Sequence, residues 1–328
     1  MTDIARIRAA AERLEGHARL TPLLSSPLLD RIAGRRVLVK AECLQWTGSF
    51  KYRGARAALS ALPADLRARG VLAYSSGNHG QGVALAASQF GVPSVVLMPA
   101  DAPAVKIANT RAYGAEVILY DRATQDRDAL GAALAGARGL TLIRPFDDAE
   151  VIAGQGTIGL EIAAQARQAG VLGARVLVPC GGGGMTSGIA LALAAEAPAL
   201  RVCPVEPEGF DDTARSLAAG RVLRNARAAG SLCDAIVTPQ PGALTFPILQ
   251  ALSGPGLVVS EDQALQAMAL AFEHLRLVLE PGGAVALAAA LFAPDLPETV
   301  VAVASGGNVD PGVFRLALDL FATGGDPA

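Results

Sequence analysis

The chain is short of aromatic residues, short of cysteine and free of long apolar runs. Phe, Trp and Tyr make up 4% of its 328 residues, although 52% are hydrophobic. The apolar mass is therefore aliphatic, which suits helices packed tightly on a parallel sheet whose strands read as short unbroken apolar stretches. Cys43, Cys180, Cys203 and Cys233 stand far apart with no CxxC spacing. A disulfide framework or a zinc site is not expected, and a reducing compartment fits. No stretch reaches the ~18–20 uninterrupted apolar residues of a membrane span, and the N-terminus has no apolar signal core. A cytoplasmic protein with no membrane partner is expected. Charge is also sparse, at 18% charged residues, a formal net charge of −2 and no Lys/Arg stripe. Nucleic acid is thus not an expected partner.

What the chain has is alternation. Apolar runs at residues 36–41, 71–74, 94–98, 116–120, 140–143, 175–179, 201–205, 257–259 and 299–304 read as strands. Most are followed by a turn and a segment of helical period, which predicts an α/β protein with open parallel sheets and helices on both faces. A breaker-poor stretch at 150–167 is long enough to bridge two lobes. Residues 66–148 then form a small domain with its own four-stranded sheet. Residues 1–65 and 149–328 combine into a larger, discontinuous one.

Three strand-end loops carry unusual chemistry, in the position where open α/β sheets bind ligands. Gly181, Gly182, Gly183 and Gly184 follow a Val-rich strand and precede a helix. Each glycine costs roughly 0.5–1 kcal/mol in a regular element, so four suggest bare N–H groups around an anion at a helix N-terminus. A flexible turn is the plainer reading. No GK[ST] follows and the spacing is not GxGxxG, which disfavours ATP and NAD. The run Ser75-Ser76-Gly77-Asn78-His79-Gly80 crowds polar donors into a helix start; a simple N-cap needs one such residue, and a carboxylate-binding turn uses more of them. Ser305-Gly306-Gly307-Asn308 alone reads as a plain turn. Lys51 follows Gly48-Ser49-Phe50 amid apolar residues, a setting for a desolvated amine able to form a Schiff base. A phosphate cradle, a Schiff-base lysine and a carboxylate turn together describe a pyridoxal-phosphate (PLP) enzyme acting on an amino acid.

These residues resemble the fold-type-II PLP enzymes (tryptophan synthase β-like, with two open twisted sheets), and within them the serine/threonine dehydratase, serine racemase and 3-hydroxyaspartate dehydratase branch. The matching motifs are Ser49-Phe50-Lys51-Tyr52-Arg53-Gly54-Ala55, Ser75-Ser76-Gly77-Asn78-His79, Val151-Ile152-Ala153-Gly154-Gln155-Gly156-Thr157 and the tetraglycine loop. The resemblance implies that Lys51 carries the cofactor, Phe50 lies against its ring, and Gly181 to Gly184 with Met185 bind its phosphate. It implies Asn78 at the phenolic oxygen, Ser305 at the ring nitrogen and Glu280 as the acidic residue nearby. Ser75, Ser76, Asn78 and His79 would hold the substrate carboxylate. The implied reaction is Cα deprotonation and β-elimination, converting L-threonine, L-serine or 3-hydroxyaspartate to a 2-keto acid and ammonia. A neutral Ser305 in place of an acid disfavours a long-lived carbanion and hence aminotransfer.

A serine racemase with side dehydratase activity is the alternative, because Ser76 resembles the hydroxyl that reprotonates the second face of Cα. A non-catalytic ligand-binding relative would lack the cofactor's visible absorbance. Glu206, Phe210 and Asp212 resemble a Mg²⁺ or Ca²⁺ loop, and a solvated acidic turn is the plainer reading. Arg127 resembles an arginine able to clamp a second substrate carboxylate, or it is a solvated helix residue. A homodimer is implied. Because the chain ends soon after Ser305, a C-terminal regulatory domain is not expected.

Overall fold

The structure, a computed structural model, describes residues 2–75, 77–121 and 124–321. Its strands among these residues are β1 (Leu23–Ser25), β2 (Arg36–Lys40), β3 (Val71–Tyr74), β4 (Ser94–Pro99), β5 (Glu116–Tyr120), β6 (Thr141–Leu142), β7 (Ala174–Pro179), β8 (Leu200–Pro207), β9 (Leu257–Val259) and β10 (Thr299–Val303). Six form one sheet in the order β1-β2-β10-β7-β8-β9, and four form another in the order β5-β4-β3-β6. Each of the nine apolar runs contains a strand. β1 has no counterpart among them. It pairs antiparallel with β2, Leu23 opposite Lys40, so the larger sheet is mixed and not wholly parallel as expected. A three-residue edge strand leaves too little periodicity to read.

The other strand pairs are parallel, so their carboxyl ends share one side. β10 and β7 are neighbours, which sets the loops after them, 304–308 and 180–184, side by side. Under the larger sheet runs the helix Pro281–Phe292, buried from Pro281 to Leu291 and packed on β7, β8, β10 and the helix Glu261–Leu275. Such a helix needs no polar face, and its alanines let the surrounding layers close on it. Among the described residues no helix is long and apolar enough to cross a membrane.

The helix Ala149–Gln168 is capped by Asp148, whose carboxylate accepts the N–H groups of Glu150 and Val151. It lies between the helices Lys51–Ala61 and Gly184–Glu196. A Cβ on Gly154 would stand 2.7 Å from the Arg53 carbonyl oxygen, and one on Gly188 2.4 Å from that of Ile152. The 151–157 motif is therefore a packing device that sets the lysine-bearing helix close against its neighbour. Charges reinforce that contact. Arg53 donates to Glu42 at 2.8 Å and to Glu161 at 2.6 Å, while Lys40 donates to Glu161 at 2.5 Å and to the Thr21 carbonyl at 2.7 Å. Lys40, Glu42 and Arg53 are buried.

Candidate active site

A cavity of about 540 Å³ opens between the two sheets, within the range of small-molecule sites. Lys51, Phe50, Ser75, Asn78, His79, Gly181, Gly182, Gly183, Gly184, Met185 and Arg127 all line it. Lys51 begins its helix, and its Nζ donates to the Pro145 carbonyl at 2.9 Å. Burial of the amine pulls its pKa down to about 8, against an opposing pull from the Glu280 charge. A large share of the amine is thus neutral near pH 8, as a nucleophile or base requires. The Phe50 ring lies beside it, 5.1 Å from Nζ to the ring centroid.

The tetraglycine loop is required by space as well as by donors. Gly183 has φ +88°, and a Cβ on Gly182 would stand 2.3 Å from the Phe146 ring. Thr245 Oγ1 and the Gly242 N–H both donate to the Gly182 carbonyl, at 2.6 and 3.2 Å, fixing the loop. The helix Gly184–Glu196 starts here, so its free N–H groups and partial positive charge face the cavity. That cradle, opposite a buried amine, fits an aldehyde cofactor with a phosphate arm.

On the facing sheet, the turn after β3 leads into the helix Asn78–Phe90. Asn78 Nδ2 donates to Glu280 Oε1 at 2.5 Å, and its Oδ1 accepts from Asn308 at 2.8 Å. Asn78 is thereby tied to the Ser305–Asn308 loop. Ser305 itself is buried, and its carbonyl accepts the Phe50 N–H at 3.1 Å, joining that loop to the lysine segment. Ser305 and Glu280 stand behind the cavity lining. Burial raises the Glu280 pKa, opposed by the Lys106 charge and the Asn78 hydrogen bond. Ser76 lies outside the described residues.

His79 is arranged differently from expectation. Its ring is buried with Nε2 2.9 Å from the Ile143 carbonyl, and burial with the Lys51 charge drives its pKa down to about 3. A neutral ring donating to that carbonyl carries its proton on Nε2, leaving Nδ1 only an acceptor. The ring therefore offers no donor to a carboxylate. What position 79 offers is its backbone N–H in the first helical turn.

Other residues reach the site without having been read from sequence. Lys106 lies 3.7 Å from Glu280 and 3.8 Å from Asp234. Residues 144–147 supply the Pro145 carbonyl, the Phe146 ring and the Asp147 carboxylate, which accepts the N–H groups of Ala243 and Leu244. No motif marks them; they arrive through tertiary packing alone.

Glu206, Phe210 and Asp212 are buried away from this cavity. Glu206 accepts the N–H groups of Thr213 and Ala214 at 3.0 and 2.7 Å. Asp212 Oδ1 accepts from Asn225 at 2.5 Å, whereas its Oδ2 is buried without a partner. Burial raises both carboxyls, Glu206 to about 8 with help from the Asp212 charge, and Asp212 to about 6. No group of three or more His, Cys, Asp or Glu side chains able to hold a metal occurs among the described residues. A cation here would need carbonyl and water oxygens besides these two carboxylates, the donor set of a hard divalent ion.

Two sheets meeting at strand carboxyl ends, a glycine cradle at a helix start and an enclosed lysine are the features expected of an enzyme that uses a phosphorylated aldehyde. The chain belongs to the family described as pyridoxal-phosphate dependent enzymes, which it matches over residues 14–306. It is 43% identical over 303 residues to an L-threo-3-hydroxyaspartate ammonia-lyase of a Pseudomonas species, covering 92% of this chain and 93% of that one. It is 36% identical over 319 residues to a serine racemase of Oryza sativa subsp. indica, covering 95% and 92%. The crystal structure of a threonine deaminase from T.th. superimposes with a TM-score of 0.89 at 47% identity, over 94% of this chain and 99% of that one.

Proposed function

We propose that this chain is a PLP-dependent ammonia-lyase that removes water and then ammonia from a β-hydroxy α-amino acid, leaving a 2-keto acid. The observation that carries this is the buried Lys51 amine, with its pKa near 8, held opposite the glycine cradle. When bound, PLP supplies an electrophilic carbon for the substrate amine and a conjugated ring that takes up the electron pair released at Cα. The chain's own groups do the rest. N–H groups of Gly181 to Gly184 and Met185 would bind the phosphate, Asn78 the phenolic oxygen and Ser305 the ring nitrogen. The start of the helix Asn78–Phe90, with Ser75 and the backbone of His79, would hold the α-carboxylate and so orient the Cα–H bond toward Lys51. Lys51, neutral once released, takes the Cα proton at Nζ. Phe50 and Phe146 wall the site and exclude water.

Residues 66–148 would move as a unit carrying the carboxylate turn, over a cofactor held by residues 1–65 and 149–328. Glu206, Phe210 and Asp212 would hold Mg²⁺ or Ca²⁺, relieving two buried carboxylates that otherwise repel. A homodimer fits the exposed apolar Leu20, Leu44 and Trp46 grouped beside the lysine segment, and a molar mass measured by light scattering tests it. Arg127 in the cavity lining favours substrates with a second carboxylate. The test is a keto-acid and ammonia assay over L-serine, D-serine, L-threonine and both 3-hydroxyaspartate diastereomers. Keto acid from none of them would sink the proposal. A serine racemase is the second reading, supported by the 36% identity to the Oryza sativa serine racemase; D-serine formed faster than pyruvate from L-serine would favour it.

A further inference from the structure

Two arginines line the small-sheet side of the cavity, and their surroundings differ. Arg127, at the start of the helix Arg127–Arg138, stacks on Tyr74 with 4.6 Å from guanidinium carbon to ring centroid. It also lies 3.8 Å from Asp128, and its side chain is 47% exposed. Much of its charge is already answered by a neighbour and by water.

Arg144 stands in the link between β6 and the helix Ala149–Gln168, and every residue after it is fixed around the reacting lysine. Pro145 receives the Lys51 Nζ hydrogen bond at 2.9 Å. The Phe146 ring lies on Gly182. Asp147 is pinned by the N–H groups of Ala243 and Leu244, at 3.1 and 2.7 Å. Consecutive Cα atoms are about 3.8 Å apart, so Arg144 is rooted one residue from the atom that holds the base. Its side chain lines the cavity and is exposed there. Among the described residues it has no hydrogen bond and no ion pair, and no carboxylate approaches it within salt-bridge distance.

The carboxylates of the lining are committed elsewhere, Asp128 facing Arg127. Asp147 serves the turn at 243–244, and Asp234 faces Lys106, which also faces Glu280. The Arg144 guanidinium, whose charge acts on the Tyr74 hydroxyl, therefore has no protein carboxylate to satisfy its forked donors. A planar carboxylate matches that fork with two parallel hydrogen bonds.

We propose that Arg144 is the principal specificity residue for the distal carboxylate of an acidic β-hydroxy amino acid, with Arg127 an outer, secondary contact. This rests on the ammonia-lyase reading above and sharpens its substrate to a hydroxylated dicarboxylic amino acid. With the α-carboxylate at the start of the helix Asn78–Phe90 and Cα at Lys51, the distal carboxylate of such a substrate would meet Arg144 in the same cavity lining. L-serine and L-threonine end in groups that cannot answer a guanidinium.

The test compares wild type, Arg144→Ala, Arg144→Lys and Arg127→Ala as holoenzymes, measuring kcat and KM for 3-hydroxyaspartate and L-serine on the same preparation. The ratio of the two kcat/KM values is independent of the folded fraction, so a poorly folding variant still reports. Arg144→Ala should lower the hydroxyaspartate-to-serine ratio about tenfold or more, chiefly through KM, and by more than Arg127→Ala does. Arg144→Lys should keep part of it, because a point charge retains attraction without the fork. A ratio unchanged in Arg144→Ala, or one that collapses only in Arg127→Ala, overturns the assignment while leaving the ammonia-lyase reading intact. A wild type that turns over serine but neither hydroxyaspartate diastereomer also overturns it. If wild type releases keto acid from no hydroxy amino acid, it is the underlying reading that fails.

Discussion

The molecule encloses charge in two places, and they are built in opposite ways. Around Arg53 each charged group has an opposite partner: Glu42 and Glu161 take its guanidinium, and Lys40 answers Glu161. Around Lys51 the groups stay incomplete. The amine reaches only a carbonyl, and Glu280 Oε2 and His79 Nδ1 are buried with no hydrogen-bond partner. Unsatisfied buried polar atoms are costly, and these two stand at the cavity lining or just behind it, where a bound group would satisfy them. The first cluster is scaffold and the second is site, although Lys51 and Arg53 have only Tyr52 between them.

Breaking each cluster should therefore have different consequences. Lys51→Ala should abolish keto-acid release and the visible absorbance of bound cofactor, while far-UV circular dichroism stays that of wild type. Near-normal turnover would remove Lys51 from the mechanism. Arg53→Met should act on stability instead. It leaves Glu42 as a buried carboxylate without its guanidinium partner, and breaking a buried pair costs about 3–5 kcal/mol. Urea unfolding should register that loss, and an unchanged midpoint would mean the network is dispensable.

His79 links the two behaviours through pH. Its pKa falls from 6.5 to about 3 on folding, so the unfolded chain takes up a proton that the folded one refuses. The stability from this group is complete above about pH 6.5 and is lost as pH falls toward 3. The loss should be about 3 kcal/mol between pH 7 and pH 4. His79→Gln should flatten that part of the stability curve, and an unchanged acid slope would show that the ring is not buried neutral. The smallest effect concerns Glu206 and Asp212. Chelation by EDTA should lower the melting temperature by roughly 2–6 °C, restored by Mg²⁺ or Ca²⁺. No shift would leave these two as a hydrogen-bonded carboxylate pair.

The sheets and the cradle were legible in the sequence because their signals are local. An apolar run between turn residues reads as a strand, and four glycines in a row fit neither helix nor strand. β1 was illegible because three edge residues carry no pattern. The role of the 151–157 motif was hidden for another reason: its glycines answer to Arg53 and Gly188 on other helices, contacts that no spacing encodes. Lys106 and Arg144 look like ordinary surface cations in sequence, and only packing brings them to Lys51. His79 sat correctly in a polar turn, yet its ring direction was decided by the Ile143 carbonyl 64 residues away.

Two lysines line the cavity, Lys51 and Lys106, and the account makes only one of them the carrier of the cofactor. Reduction of the holoenzyme with borohydride, followed by protease digestion and mass spectrometry, locates the pyridoxyl group directly. The account predicts a single modified peptide containing Lys51, with Lys106 unmodified. A pyridoxyl group on Lys106, or on any lysine other than Lys51, would contradict it.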